Sequence, residues 1–373
     1  MRILGIETSC DETAAAVIEA NAGNKTVKLL SNVVASSLSL HAKTGGIIPE
    51  IAAREQLKYI IPVIQQAFKK SNLYPLSSKI NLPSSTIYRP AIDAIAVTVG
   101  PGLIGSLLVG IETAKTLAYA WNKPIIPVNH LIGHIYANWL TTNDQRPTTI
   151  LFPALALIVS GGHTDLVLMK NHQQPTWIGG TRDDAAGEAF DKIGRLLNLS
   201  YPGGLAIAAA ATKFEIKNAK FEMKLPRPML GEDNFDFSFS GLKTAAFREV
   251  NKFKAKKQFN NAITAAAGSR NGGTIQQFAF EVQQAIVDVL VTKTVKAAQA
   301  YRVKSVLISG GVAANDLLRE KLEVSSQQLG VNFFAPAKKL CTDNAAMIAA
   351  AAFFNHKPIS WKSVAANPSL HFQ

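Results

Sequence analysis

Two histidines stand four residues apart in His130-Leu131-Ile132-Gly133-His134. On a helix that spacing puts both imidazoles on one face, where they could reach a single metal ion. A metalloprotease of the H-E-x-x-H type carries its glutamate base directly after the first histidine; here that position is Leu131. A third ligand must come from elsewhere in the chain. Asp343, in Cys341-Thr342-Asp343-Asn344, is a candidate at a loop-to-helix junction, although an aspartate at such a junction also serves as a helix N-cap.

Four short turns of small residues each follow a strand-like run: Thr8–Thr13, Gly100–Gly102, Ser160–Thr164 and Ser309–Val312. Turns of this kind let backbone N–H groups approach a phosphate closely, and a helix N-terminus adds a favourable partial charge. Neither a G-x-x-x-x-G-K-[ST] loop nor a G-x-G-x-x-G fingerprint occurs, so the common nucleotide motifs are excluded. Thr181–Lys192 carries the carboxylates Asp183, Asp184, Glu188 and Asp191 among small residues. That suits either a polar cleft or a solvated helix start capped by Asp183 or Asp184. Tyr201-Pro202-Gly203-Gly204 supplies a backbone turn able to lie close to a ligand.

The elements that must position these residues alternate short β-branched runs with longer Ala- and Leu-rich stretches, which predicts an α/β architecture. Strands are expected at Ile3–Glu7, Ala14–Glu19, Ala91–Val99, Leu155–Val159, Leu166–Lys170 and Ser305–Ile308. Helices are expected at Pro49–Lys70, from the Gly100–Gly105 stretch through Ala120, at Gln276–Tyr301 and from Asn315. In Pro49–Lys70, Ile51, Leu57, Ile60, Ile61, Ile64 and Phe68 are expected to share the buried face. The pattern repeats. A strand enters a polar turn and returns at Ile3–Ile18 and again at Leu155–Met169; a strand enters a glycine turn and a helix at Ala94–Leu117 and again at Val306–Leu322. Two lobes of one design with a cleft between them follow. Residues 71–90 and 253–274 read as surface insertions.

Composition narrows the class. The chain has 373 residues, 47% apolar and 17% charged, below the usual quarter or so, which excludes wholesale disorder. The formal net charge is +13, which favours a polyanionic partner such as nucleic acid. The basic residues Lys213, Lys217, Lys220, Lys224 and Arg227, and then Lys243, Arg248, Lys252, Lys254, Lys256 and Lys257, form two runs suited to phosphate contact. Two cysteines, Cys10 and Cys341, exclude a disulfide scaffold. The longest apolar runs, Phe152–Val159 and Ala345–Phe354, fall short of the roughly 18 residues of a membrane span. No transit or signal segment precedes the first strand, so a soluble cytoplasmic protein is expected.

Taken in order, GIETSCDETAAAV, HAKTGGIIPEIAARE, NHLIGH, LIVSGGHTDL, DDAAGEAFDKIGRLLNLSYPGG, FSFSGLKTA, ISGGVAAN and CTDNAAMIA closely resemble the bacterial TsaD family from Met1 to about Phe354. These are tRNA N(6)-adenosine threonylcarbamoyltransferases, formerly called O-sialoglycoprotein endopeptidases. The resemblance implies an actin/Hsp70/sugar-kinase-like (ASKHA) fold with two pseudo-duplicated lobes. It implies an N-terminal lobe over 1–128, completed by the chain near 344–373, and a C-terminal lobe over 129–343 with the metal and nucleotide site. It implies a divalent ion on His130, His134 and Asp343, most often iron, with zinc or magnesium as alternatives. Threonylcarbamoyl-AMP is expected against Ile158, Val159, Ser160, Gly161, Gly162, Asp191, Gly204 and Asn315, with Asp11 near the transfer centre. The group is transferred to N6 of the adenosine 3′ of the anticodon, position 37, in tRNAs reading codons that begin with A. The implied partners are tRNA, a TsaB-like paralogous subunit and a TsaE-like ATPase, with no membrane. The chain departs from the family at Gln56, where histidine is common, and at Lys43, where tyrosine is common. A metal-dependent peptidase and an ATP-using kinase or chaperone of the same fold are the competing readings.

Overall fold

The computed structural model describes residues 1–23, 25–38, 40–41, 46–73, 90–141, 149–214, 223–255 and 273–372. Lys43, Lys217, Lys220, Lys256 and Lys257, and most of both expected insertions, lie outside them. The chain forms two units, Met1–Thr149 with Pro336–Gln373, and Ile150–Ala335.

The first unit begins β1 (Arg2–Glu7), β2 (Glu12–Asn21), β3 (Thr26–Ser36), α1 (Pro49–Lys70), β4 (Ala94–Gly100), α2 (Ile104–Trp121), β5 (Ile125–Asn129), α3 (His130–Tyr136) and β6 (Leu140–Thr141). The second unit holds β7 (Ala154–Val159), β8 (Thr164–Met169), β9 (Pro175–Gly180), α4 (Ala186–Leu196), α5 (Gly203–Ala211), α6 (Ser240–Ala255), α7 (Gly273–Ala300), β10 (Ser305–Ser309), α8 (Asp316–Gln328) and β11 (Asn332–Phe334). The chain then returns to the first unit as α9 (Ala345–Phe354).

The two sheets share one topology. The first runs β5-β4-β1-β2-β3-β6 and the second β11-β10-β7-β8-β9. In each, a central strand pairs antiparallel with the strand that follows it and parallel with a later one: β1 with β2 and β4, β7 with β8 and β10. The repeats seen in the sequence are these equivalent hairpins and strand–helix units. Among the described residues no helix is long and apolar enough to cross a membrane.

Alternation along β1 explains the layers of the first unit. Leu4 and Ile6 join a core with Ile60, Ile64 and Phe68 of α1 and Leu107 and Ile111 of α2. Successive strand side chains point to opposite faces, so Ile3 and Gly5 face away from that core. On their side lies α9, a run of alanines, Met347 and Ile348 buried from Ala345 to Ala352. A helix apolar all round belongs inside a core, and its small side chains let it approach closely. Gly5 of β1 and Gly133 of α3 meet it: a Cβ at position 5 would overlap the Ala345 carbonyl, and one at 133 would press on Ile348.

Two expectations need correction. A boundary at 128/129 would put the histidines and Asp343 in the second lobe; the structure keeps His130, His134 and Asp343 in the first unit, because α3 follows β5 directly and packs on α9. In α1 the buried stripe is Ala52, Gln56, Ile60, Val63, Ile64, Ala67 and Phe68, whereas Ile51, Leu57 and Ile61 are exposed, Leu57 to 64%. The helix therefore has two apolar faces, and the sheet covers only one.

Replacing Gly5 with alanine should cost about 1–3 kcal/mol by forcing α9 off β1. Urea unfolding would show this as a lower midpoint at an unchanged slope. An unshifted midpoint would mean that α9 is not seated on this glycine.

A candidate metal centre and the glycine turns

His130 opens α3 because Asn129 caps it, its side-chain oxygen accepting the Leu131 and Ile132 N–H groups at 2.8 and 3.3 Å. The two histidine rings lie edge to face with centroids 4.6 Å apart, and both are buried. Opposite them, Asn344 caps α9: its side-chain oxygen accepts the Met347 N–H at 3.1 Å, while its amide donates to the Leu340 and Thr342 carbonyls. The cap is thus Asn344 rather than Asp343, and the Asp343 carboxylate turns to the histidines. Its Oδ1 lies 3.5 Å from His130 Nε2 and 3.2 Å from His134 Nε2. One ligand atom from each of the three residues falls within 4.8 Å of the other two.

This donor set fits a divalent cation. Nε2 of the buried His134 ring meets only the Asp343 carboxylate, at 3.2 Å, and its Nδ1 makes no hydrogen bond. Buried polar atoms ordinarily find a partner, and a cation among three Lewis bases supplies one. Burial holds the His134 imidazole below its ordinary pKa, so it is a neutral donor. Burial acts in the same direction on His130, but the Glu7 and Asp343 carboxylates outweigh it and push its pKa up to about 9.

Glu7, which nothing in the sequence reading singled out, ends β1 with no exposed surface. Its Oε1 accepts the Ser9 N–H at 2.5 Å; its Oε2 accepts the Thr98 hydroxyl at 2.5 Å and lies 3.1 Å from His130 Nδ1. Ser9 Oγ is also 3.1 Å from that nitrogen. Burial alone would raise the Glu7 carboxyl, but the neighbouring His130 holds it below the usual value.

The loop that follows carries Asp11. Gln56 of α1 lies beneath it, its amide nitrogen 3.0 Å from the Cys10 and Glu12 carbonyls and 3.4 Å from that of Thr8. Asp11 is buried, and its carbonyl accepts the Ser37 hydroxyl at 2.7 Å. Burial and then the Asp343 and Asp11 carboxylates push Glu12 up to about 10, so it is a neutral acid near pH 7. Burial and then Asp343 push the Cys10 thiol up as well, which removes it as a thiolate nucleophile.

In the second unit, Ile158 and Val159 end β7 fully buried, and the Ser160–His163 turn closes by the Ser160 N–H on the His163 carbonyl at 2.8 Å. Open space surrounds Gly161, Gly162 and Gly311, whereas Gly310, at φ +90°, brings its turn against the backbone of Val159. Asp191 accepts the Gly203 N–H at 2.7 Å. Burial raises its pKa against the N–H groups of Gly203 and Gly204, so Asp191 and Gly204 are neighbours. Asn315 caps α8 by accepting the Leu318 N–H at 3.1 Å and donates to Gln283 at 3.0 Å.

Other candidates have structural duties. The Gly100–Gly102 turn is filled by the chain's own backbone, Asn367 at Gly100 and Ser9 at Gly102, so it offers no phosphate cradle. Asp183 caps α6 and not the helix that follows it, accepting the Phe239 N–H at 2.8 Å and the Ser238 and Ser240 hydroxyls at 2.5 and 2.6 Å. Asp184 pairs with Lys192 and Lys243. Of the basic runs, Arg227 is engaged by Glu281 and Asp288, and Lys252 by Glu249.

Two sheets of one topology, one unit bearing a two-histidine, one-aspartate group and the other open glycine turns, define a duplicated α/β protein of the actin/Hsp70/sugar-kinase-like class. HypF from T. kodakarensis has the same fold, with a TM-score of 0.54 at 13% identity over 95% of this chain and 47% of that one. So does the activator of the 2-hydroxyisocaproyl-CoA dehydratase from Clostridium difficile, with a TM-score of 0.50 at 10% identity over 95% of both chains. Residues 28–350 match the family model of TsaD, tRNA N6-adenosine threonylcarbamoyltransferase. The tRNA N6-adenosine threonylcarbamoyltransferase of Syntrophomonas wolfei subsp. wolfei is 45% identical over 99% of this chain and 97% of its own length. The chain belongs to the TsaD family of transferases.

His134→Ala should remove most bound divalent metal, since one of three protein ligands is lost. Elemental analysis after loading checks this, with His130→Ala as a parallel variant. Full metal occupancy in both would take these residues out of the site.

Proposed function

We propose that this chain transfers the threonylcarbamoyl group from threonylcarbamoyl-AMP to N6 of the adenosine 3′ of the anticodon, position 37, in tRNAs reading codons that begin with A. The observation that carries this reading is the His130, His134, Asp343 group in a chain so similar, along its whole length, to a transferase of that name. The acceptor amine is a weak nucleophile because its lone pair is delocalised into the purine. The donor must therefore be activated, as a mixed anhydride is: N6 bonds to the carbamoyl carbon, the bond from that carbon to the phosphate oxygen breaks, AMP leaves, and N6 gives up a proton.

Each group on the chain then has a task. His130, His134 and Asp343 would hold a divalent cation. Two imidazoles and one carboxylate suit Fe²⁺ first, with Zn²⁺ and Mg²⁺ as alternatives. Such an ion supplies Lewis acidity toward the donor's oxygens. Ile158–Gly162, Asp191, Gly204 and Asn315 would bind the nucleotide, the open backbone at Gly161 and Gly162 facing its phosphate. Asp11, a carboxylate on a loop fixed by Gln56, takes the amine proton or orients the amine. The site of action is the cytoplasm, where tRNA and reduced thiols are found.

Partners complete the reading. Leu57 and Ile61 of α1 and Ile104 and Leu108 of α2 are exposed, and Gly105 sits against Ala53, so the two helices present one apolar face. A face of that kind marks an interaction site. The TsaB-like paralogous subunit would dock there, with the TsaE-like ATPase joining the assembly.

The test is transfer itself, with metal-loaded protein, both partners, threonylcarbamoyl-AMP and unmodified tRNA, the nucleosides being read by mass spectrometry. Threonylcarbamoyladenosine is the expected product. Leu57→Asp with Ile61→Asp should abolish co-elution with the paralogous subunit at unchanged metal content. No modified nucleoside from the complete mixture, with cleavage of casein instead, would overturn the reading in favour of a peptidase.

A further inference from the structure

We propose that Glu7 is a positioning residue of the cation site: its carboxylate takes the Nδ1 proton of His130 in a hydrogen bond and so commits Nε2 to the metal. The inference rests on the metal reading of His130, His134 and Asp343.

An ionised Glu7 sets the sense of this contact. An ionised carboxylate only accepts hydrogen bonds, and Glu7 already accepts from the Ser9 N–H and the Thr98 hydroxyl. At 3.1 Å from Glu7 Oε2, His130 Nδ1 must carry a hydrogen, because a bare lone pair there would be repelled. The lone pair of a neutral ring then lies on Nε2, the nitrogen that faces Asp343 Oδ1 at 3.5 Å. Ser9 Oγ, at 3.1 Å, lies on the same Nδ1 side and leaves the metal side clear.

Burial argues that the carboxylate is there for this purpose. Glu7 has no exposed surface, and the four residues before it in its strand are the apolar Ile3-Leu4-Gly5-Ile6. A carboxylate taken out of water is costly unless it is paired and hydrogen-bonded. The Ser9 N–H alone could be satisfied by a neutral acceptor. A full negative charge is called for where a histidine must be held in one tautomer, made more basic and partly neutralised as it ligates a cation.

Glu7→Gln is nearly isosteric and separates the charge from the shape. With its one amide oxygen on the Ser9 N–H, the new NH₂ faces His130 Nδ1 and reverses the imidazole tautomer. The measurements are Co²⁺ affinity by competition with a chelator, the Co²⁺ visible absorption spectrum, and thermal unfolding of metal-free protein. The expected result is a Kd for Co²⁺ raised about 10–100-fold with an altered spectrum, in a protein that still folds without metal. A folded variant with unchanged Kd and spectrum would overturn the inference, even if its unfolding temperature fell, since that is the signature of a purely structural residue. If Glu7→Gln does not fold, Glu7→Asp keeps the charge but draws it back from the ring; a raised Kd supports the role and an unchanged one overturns it. Absence of Co²⁺ binding by the unaltered protein would instead remove the metal reading, and this inference with it.

Discussion

The close approach of α9 to β1 and α3 is the constraint on which the first unit depends. An alanine-rich helix can lie against a strand and a second helix only where those elements also lack bulk, and Gly5 and Gly133 provide that at the two points of contact. The seat fixes where the N-terminus of α9 ends. Asn344 closes that terminus, and the residue before it, Asp343, is thereby set against two histidines on α3. Asp343 meets a histidine pair distant from it in sequence because apolar packing leaves their backbones no other place. Side chains so held are preorganised, which a ligand set needs if it is not to spend binding energy on ordering itself.

The duplication is equal in topology and unequal in chemistry. Both units place a polar turn after their first strand and a glycine turn after a later parallel one. In the first unit the polar turn is gathered onto Gln56 and the glycine turn is filled by Asn367 and Ser9. In the second unit Gly161 and Gly162 of the polar turn and Gly311 of the glycine turn face open space, and only Gly310 lies against backbone. One copy of the design has become a rigid support for charged side chains, and the other keeps accessible backbone.

Local signals in the sequence carried a good part of this. The strand–turn–strand and strand–turn–helix repeats predicted the central hairpin of each sheet and the parallel strand beside it, because period and turn chemistry are written in neighbouring residues. The histidine pair was visible because helical spacing is also local. Asp343 was ambiguous from sequence alone, since a ligand and an N-cap sit at the same kind of junction; Asn344 resolves it. Glu7 gave no signal, because its partners Thr98 and His130 are 91 and 123 residues away, and only the pairing of β1 with β4 and the course of β5 into α3 bring them together. The domain boundary and the exposed Leu57 and Ile61 were misjudged for a related reason. Hydropathy marks a residue as apolar without saying what covers it. A cap by Asp183 or Asp184 was expected on the helix beside them, yet the Asp183 carboxylate reaches the start of α6, more than fifty residues on.

Anomalous diffraction from crystals of the metal-loaded protein tests the central claim most directly. The expected result is one strong peak in contact with Nε2 of His130, His134 and the Asp343 carboxylate, with His130 Nδ1 still turned to Glu7. A peak elsewhere in the chain, or a His130 ring bound through Nδ1, would contradict it.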